Sequence, residues 1–143
     1  MKLSITTPED LPQIREWIQA DPWHRDDPNV YAEGFLPLAG LLSFCLSDDK
    51  GPLVFVRLEE DGNMVRIVMQ FGPESEVSKR RLVVGLIQAG IPAMKKFAKS
   101  NGYKGLVFES TNPSLIAFGN KMGFVKTKRD NDYALVFEGQ TNV

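Results

Sequence analysis

The chain has 143 residues, with 17 Lys and Arg against 18 Asp and Glu, one His and one Cys. That length fits one domain, expected over residues 1–138 with a loose tail at 139–143, and a domain of this size buries about 68–70% of the surface its unfolded chain exposes. A net charge of -1 gives no long-range pull toward nucleic acid or acidic membrane, one Cys makes no intrachain disulfide, and no apolar run reaches the roughly 18 residues that span a bilayer.

Met1-Lys2-Leu3 leads into a polar segment rather than a signal-peptide core, so a reducing, cytoplasmic location is expected. Lys2 to Thr6 reads as a short strand. Thr7-Pro8-Glu9-Asp10 is helix-start chemistry, with a capping hydroxyl, a proline at the first position and acids at the positive end of the dipole. Leu11, Ile14, Trp17 and Ile18 then recur at helical spacing. Asp21 to Leu38 is irregular, punctuated by Pro22, Pro28 and Pro37. It holds the one histidine, His24, beside Trp23, Arg25, Asp26 and Asp27. An imidazole titrates near pH ~6.5, so His24 is a candidate base or substrate contact; the structural alternative is an exposed or helix-capping residue. The acids here lack the Asp/Asn-Gly spacing of a calcium loop, and no metal is expected. Trp23, Phe35 and Leu36 are read as exposed apolar residues, open to a homodimer contact or an acceptor pocket.

Leu41 to Ser47, Pro52 to Glu59 and Met64 to Phe71 read as three strands of a meander, separated by Asp48-Asp49-Lys50-Gly51 and Glu60-Asp61-Gly62-Asn63. Cys45, Phe44, Val54 and Phe55 are expected in the core, which makes Cys45 a small hydrophobe rather than a nucleophile. Gly72-Pro73 breaks the last strand, and Glu74 to Ser78 reads as a polar loop. Lys79-Arg80-Arg81 then leads a long helix with apolar stripes through Leu82, Leu86, Ala89, Ala93 and Phe97 and through Val83, Ile87, Gly90, Met94 and Ala98. Lys79-Arg80-Arg81 reads either as a solvated helix start or, since cations there oppose the dipole by about 0.3–1 kcal/mol each, as the sign of an anion nearby. Pro92 is expected to kink this helix, and Asn101-Gly102 to stop it. As a crossover, the helix places Lys104 to Ser110 parallel to the strand ending at Phe71.

Gly102 to Phe124 organises the chain. A buried strand runs directly into a helix capped by Asn112, with Pro113 at the first position and Gly123 as the left-handed stop. Such a junction exposes unpaired N–H groups, a natural seat for a ligand. Phe124 to Lys128 and Tyr133 to Phe137 read as a closing hairpin around Arg129-Asp130-Asn131-Asp132.

An Asn just after a strand, a one-helix spacer and a terminal Gly-Phe, here Asn112, Leu115, Ala117, Phe118, Gly119, Met122, Gly123 and Phe124, resembles the C-terminal motif of the GNAT superfamily of acetyl-CoA-dependent N-acetyltransferases. The Thr-Pro-Glu-Asp-Leu start at Thr7 is similar as well. The resemblance implies an α+β fold with a mixed, mostly antiparallel twisted sheet of about six to seven strands, a central long helix, and a splay between the strands ending at Phe71 and Ser110 that admits pantetheine. It implies acetyl-CoA as cosubstrate and an amine as acceptor. The family holds the CoA pyrophosphate on a Gln/Arg-x-x-Gly-x-Gly/Ala loop, and two registers are open here. One puts Gly85 at the first loop glycine, with Leu82 where Gln or Arg is usual; the other uses Ser78, Lys79, Arg80 and Arg81. Gln70, Phe71 and Asn112 complete the expected cofactor contacts. The family's usual acid is a Tyr, whose place Gly119 takes, so Ser110, Ser114 and Tyr133 are the candidate acids and His24, Glu33, Glu74 and Glu76 the candidate bases. Two functions follow: acetyl transfer to an amine, or a GNAT-fold binding or assembly module without transfer, of a type seen in phage-like proteins. An unrelated α+β domain is the third reading.

Overall fold

In the computed structural model, which describes residues 1–37 and 40–138, the alternating apolar runs pair in sequence order. Strands β1 (Lys2–Ile5), β2 (Leu42–Asp48), β3 (Gly51–Asp61) and β4 (Met64–Phe71) form an antiparallel meander. Gly51 and Gly62, with φ of 127° and 61°, supply the turn conformations that side chains resist. Strand β5 (Gly105–Glu109) lies parallel to β4. The closing hairpin is shorter than its apolar pattern suggests, β6 (Val125–Lys126) and β7 (Asp132–Val136), and β7 takes the place beside β5. The result is the expected α+β architecture, a mixed seven-stranded sheet in the order β1-β2-β3-β4-β5-β7-β6. The tail at 139–143 and the end of the irregular segment at Leu38 lie outside the described residues.

Helix α1 (Leu11–Ala20) follows a 3-10 turn whose Asp10 carboxyl accepts the Thr7 N–H at 2.9 Å. The long helix has three parts: α2 (Glu76–Gly85), a π-helical turn (Leu86–Gly90) and α3 (Ile91–Ser100). It begins earlier than the Lys79 start read from the sequence, because Ser75 and Ser78 cap it reciprocally. The Ser78 N–H donates to Ser75 Oγ at 3.1 Å and the Ser75 N–H to Ser78 Oγ at 2.8 Å. This is a capping box with Ser in place of the usual Glu or Gln. The π turn accommodates Pro92: the Ile91 N–H reaches back to the Leu86 carbonyl, widening the helix just where proline supplies no N–H and would crowd an ordinary turn. Helix α4 (Pro113–Lys121) is capped by Asn112, whose Oδ1 accepts the Ser114 N–H at 3.0 Å.

The sheet is covered on both faces. Leu46, Val54, Val56, Leu58, Val65 and Leu106 pack with Leu86, Met94 and Ala98 under α2 to α4. On the other face Ile14 and Ile18 of α1 close over Ala32, Phe35, Cys45 and Phe55. Phe35, expected at the surface, is therefore core, 1% exposed, whereas Trp23 is exposed. Burial pushes the Cys45 thiol up to about 11, which keeps it protonated and inert at neutral pH.

Strands β4 and β5 pair only at Val65–Leu106 and Arg66–Val107. Beyond that they diverge. At the last paired position the Arg66 guanidinium donates to Asp132 Oδ1 and Oδ2 at 3.0 and 2.8 Å and to Asp61 Oδ2 at 3.1 and 2.8 Å. Hydrogen bonds from Arg66 hold both carboxyls below the usual Asp range. A depressed carboxyl stabilises the fold fully above its unfolded value of about 3.9 and loses that contribution as pH falls through the native value. Asp132→Ala is expected to cost roughly 3 kcal/mol, the lower end for breaking a buried pair, and to flatten the loss of stability below pH ~4. Urea unfolding of both proteins at neutral and acid pH measures this.

Candidate active site

Divergence of β4 from β5 opens the sheet into two clefts. The larger, about 730 Å³, lies on the α1 side; its walls include His24, Arg66, Val68, Glu109, Ser110 and Asp130. The smaller, about 230 Å³, runs between the start of α2 and α4, with Leu53, Ser78, Lys79, Leu82 and Phe118 along it. Phe71, Asn112 and Leu115 line both, and the clefts meet there. Between residues 67 and 71 the β5-facing edge of β4 has no strand partner among the described residues, so it can pair with an extended ligand as a strand would.

The smaller cleft is mostly apolar, with one cation. Lys79 lines it, its Nζ 3.4 Å from Glu74 Oε2. The rest of the basic run points elsewhere. Arg81 makes a two-pronged pair with Asp48, Nε to Oδ2 at 2.8 Å and Nη2 to Oδ1 at 2.5 Å, and Arg80 is exposed without lining either cleft. Gly85 is not in a loop. It ends α2, buried, and a Cβ there would stand 2.8 Å from Leu53 Cδ1 and 3.1 Å from Leu46 Cδ2; the position is glycine so that helix and sheet can close. The register that made Gly85 a pyrophosphate-loop glycine is thus corrected. At the start of α2 the Glu76 and Val77 N–H groups have no hydrogen-bond partner among the described residues, leaving donors at the positive end of the helix.

The larger cleft holds the polar chemistry. His24 Nδ1 lies 2.7 Å from Gln70 Oε1 and 3.2 Å from Asp21 Oδ2. Gln70, fully buried on β4, donates from Nε2 to Asp21 Oδ2 and to the Phe71 carbonyl, both at 3.0 Å. Its side chain is therefore spent on Asp21 and His24, not on a cofactor. Ser110 Oγ accepts the Asn112 N–H at 3.0 Å and lines the larger cleft. Tyr133 is not brought to either cleft: it stacks on Phe108 with ring centroids 5.4 Å apart, on the α4 side of the sheet. Asp27, Glu109 and Asp130 line the larger cleft and form no ion pair among the described residues, which gives it a surplus of negative charge. Asp21 is the residue the sequence reading missed. Its only local signal is an Asx-type turn, Oδ1 accepting the Trp23 N–H at 2.8 Å. Among the described residues no group of three or more His, Cys, Asp or Glu is placed to hold a metal ion, and no helix is long and apolar enough to cross a membrane.

Gly119, where the resemblance places a Tyr, is shut off by packing. A Cβ there would stand 2.7 Å from Phe108 Cζ and 2.9 Å from Cε1. Phe108 itself is held edge-on by Phe124, ring centroids 5.1 Å apart.

No protein-family model and no curated protein matches the sequence. Solved structures do match. A GNAT-family acetyltransferase from Staphylococcus aureus superposes with a TM-score of 0.71 at 14% identity, covering 94% of this chain and 98% of that one. The ribosomal-protein-S18-alanine N-acetyltransferase of Escherichia coli gives 0.61 at 17% identity, covering 96% and 97%. The aminoglycoside acetyltransferase AAC(6')-Ib, solved with ribostamycin and coenzyme A, gives 0.67 at 16% identity, covering 98% and 94%. The fold is that of the GNAT acetyltransferases.

Overpacking at residue 119 costs about 1–3 kcal/mol, and replacing a helical glycine returns at most about 1. Gly119→Ala is therefore expected to destabilise the protein by about 1–2 kcal/mol, and Gly119→Tyr by more, measured by urea unfolding.

Proposed function

We propose that this chain transfers an acetyl group from acetyl-CoA to an amine. The observation that carries the reading is the short β4–β5 pairing, with two clefts meeting at Phe71, Asn112 and Leu115. The apolar smaller cleft suits the pantetheine arm, and the free N–H groups at the start of α2, with Lys79, suit the pyrophosphate. Coenzyme A in the solved aminoglycoside acetyltransferase of the same fold supports the choice of cofactor. Acceptor amines are cationic in solution, and the surplus of carboxyls at Asp27, Glu109 and Asp130 favours their entry.

In the larger cleft the amine gives up a proton to His24. Its nitrogen attacks the thioester carbonyl, the C–N bond forms and the C–S bond breaks; the new amide nitrogen releases its remaining extra proton to solvent, and the thiolate takes a solvent proton relayed through the Ser110 hydroxyl. Holding two reactants in line supplies several kcal/mol by itself, and a thiolate leaves readily, so a hydroxyl that only relays a solvent proton suffices. A second reading, a binding module of the same fold without transfer, is favoured by one observation, the closure of the Gly119 site by Phe108.

Calorimetric titration with acetyl-CoA and with CoA decides between cofactor use and its loss. Micromolar binding is expected. Lys79→Ala should weaken it about 2–5-fold, as the loss of one partly solvated charge does, while Arg80→Ala leaves it unchanged; no binding at millimolar ligand sinks the reading. Once an amine acceptor is found, His24→Gln should lower kcat by about 100-fold, and an unaltered kcat removes His24 from the mechanism.

A further inference from the structure

The carboxyl of Asp21 and the amide of Gln70 meet His24 on one side of its ring. Gln70 Nε2 faces three acceptors: Asp21 Oδ2 and the Phe71 carbonyl at 3.0 Å, and the Trp17 carbonyl at 3.5 Å. Reversing the amide would set its oxygen against all three, so the nitrogen must stay where it is and the oxygen must face His24. Asp21 is held just as firmly. Its Oδ1 accepts the Trp23 N–H, its Oδ2 accepts Gln70 Nε2, and its own carbonyl accepts the His24 N–H at 3.2 Å. His24 Nδ1 therefore faces two oxygens that can only accept, at 2.7 and 3.2 Å. Nδ1 must carry the proton. Gln70 is fully buried and Asp21 is 8% exposed, whereas His24 keeps 27% of its side chain open and lines the larger cleft. Nε2 has no hydrogen-bond partner among the described residues.

We infer that Asp21 and Gln70 are positioning residues that lock neutral His24 in the Nδ1–H form, so that Nε2 presents its lone pair as the proton acceptor in the larger cleft. This inverts the tautomer that a solvated imidazole prefers, and the hydrogen bond at one ring nitrogen sets the role of the other. The catalytic consequence rests on the transferase reading; the tautomer does not.

His24 is the chain's one histidine, so its ring nitrogens give a single unambiguous pair of signals. With ¹⁵N-labelled protein at alkaline pH, where an imidazole is neutral, Nδ1 should show the protonated signature and Nε2 the unprotonated one. Asp21→Asn keeps the shape but can offer an amide N–H to the ring. It should move the population toward Nε2–H and lower kcat at least about tenfold with KM for acetyl-CoA unchanged, as expected when a wrong tautomer is imposed on a base. Gln70→Met removes the nearer acceptor only and should shift the tautomer partway, which keeps the test open if Asp21→Asn does not fold. An Nε2–H signature in the wild-type protein overturns the inference whatever the activity. An Nδ1–H signature in a protein that binds acetyl-CoA without transferring acetyl upholds the locking of the ring and overturns the assignment of His24 as base.

Discussion

The last paired position of β4, Arg66, is the pin about which the sheet opens. A parallel neighbour would ordinarily follow β4 to its end, closing the ladder and leaving no gap. Here pairing stops at Arg66–Val107, and the guanidinium reaches across β5 to Asp132 at the head of β7 while holding Asp61 at the end of β3. A planar fork bonded at both ends tolerates little sliding. It fixes where the strands are joined and so where divergence begins. Everything beyond that point, from Ile67 to Phe71 on one side and from Phe108 to Asn112 on the other, is free to border a cleft.

Alternation along β4 divides the work between its two faces. Val65, Ile67, Met69 and Phe71 pack toward α2 to α4, while Val68 and Gln70 turn to the α1 face. A strand has a period of two, so one strand can brace the core with one set of side chains and furnish a polar site with the other. Burying an amide at Gln70 would be costly without partners; it acts as a spacer that joins strand, loop and imidazole. The irregular segment after α1 is thereby tied to the sheet by Asp21 and His24 rather than by apolar packing alone.

Much of the architecture was legible in the residues. Apolar alternation marked the strands, Gly51 and Gly62 marked their turns, and Asn112-Pro113 marked the start of α4. The start of α2 was also written there, since Ser75 and Ser78 have capping-box spacing, but the polarity of the stretch reads more readily as a loop. What was not legible is what the chain brings together from a distance. Gln70 lies 46 residues from His24 and Asp48 lies 33 from Arg81, and no local pattern carries such pairs. The glycines mislead for the same reason. Gly85 and Gly119 read as a displaced phosphate-loop residue and a lost acid, yet each is set by a side chain from another element, Leu53 against Gly85 and Phe108 against Gly119.

The π turn at Leu86–Gly90 divides the long helix into two lengths of different duty. An extra residue in one turn offsets the helical phase by roughly 100°, so the faces of α2 and α3 are not continuations of a single stripe. The rear length is anchored in the core through Ile91, Met94 and Ala98. The forward length, with Ser78, Lys79 and Leu82, forms a cleft wall. The two lengths therefore do separate work in one continuous helix: the rear faces the core, while the forward length, held to β2 by the Arg81–Asp48 pair, turns a different face to the cleft.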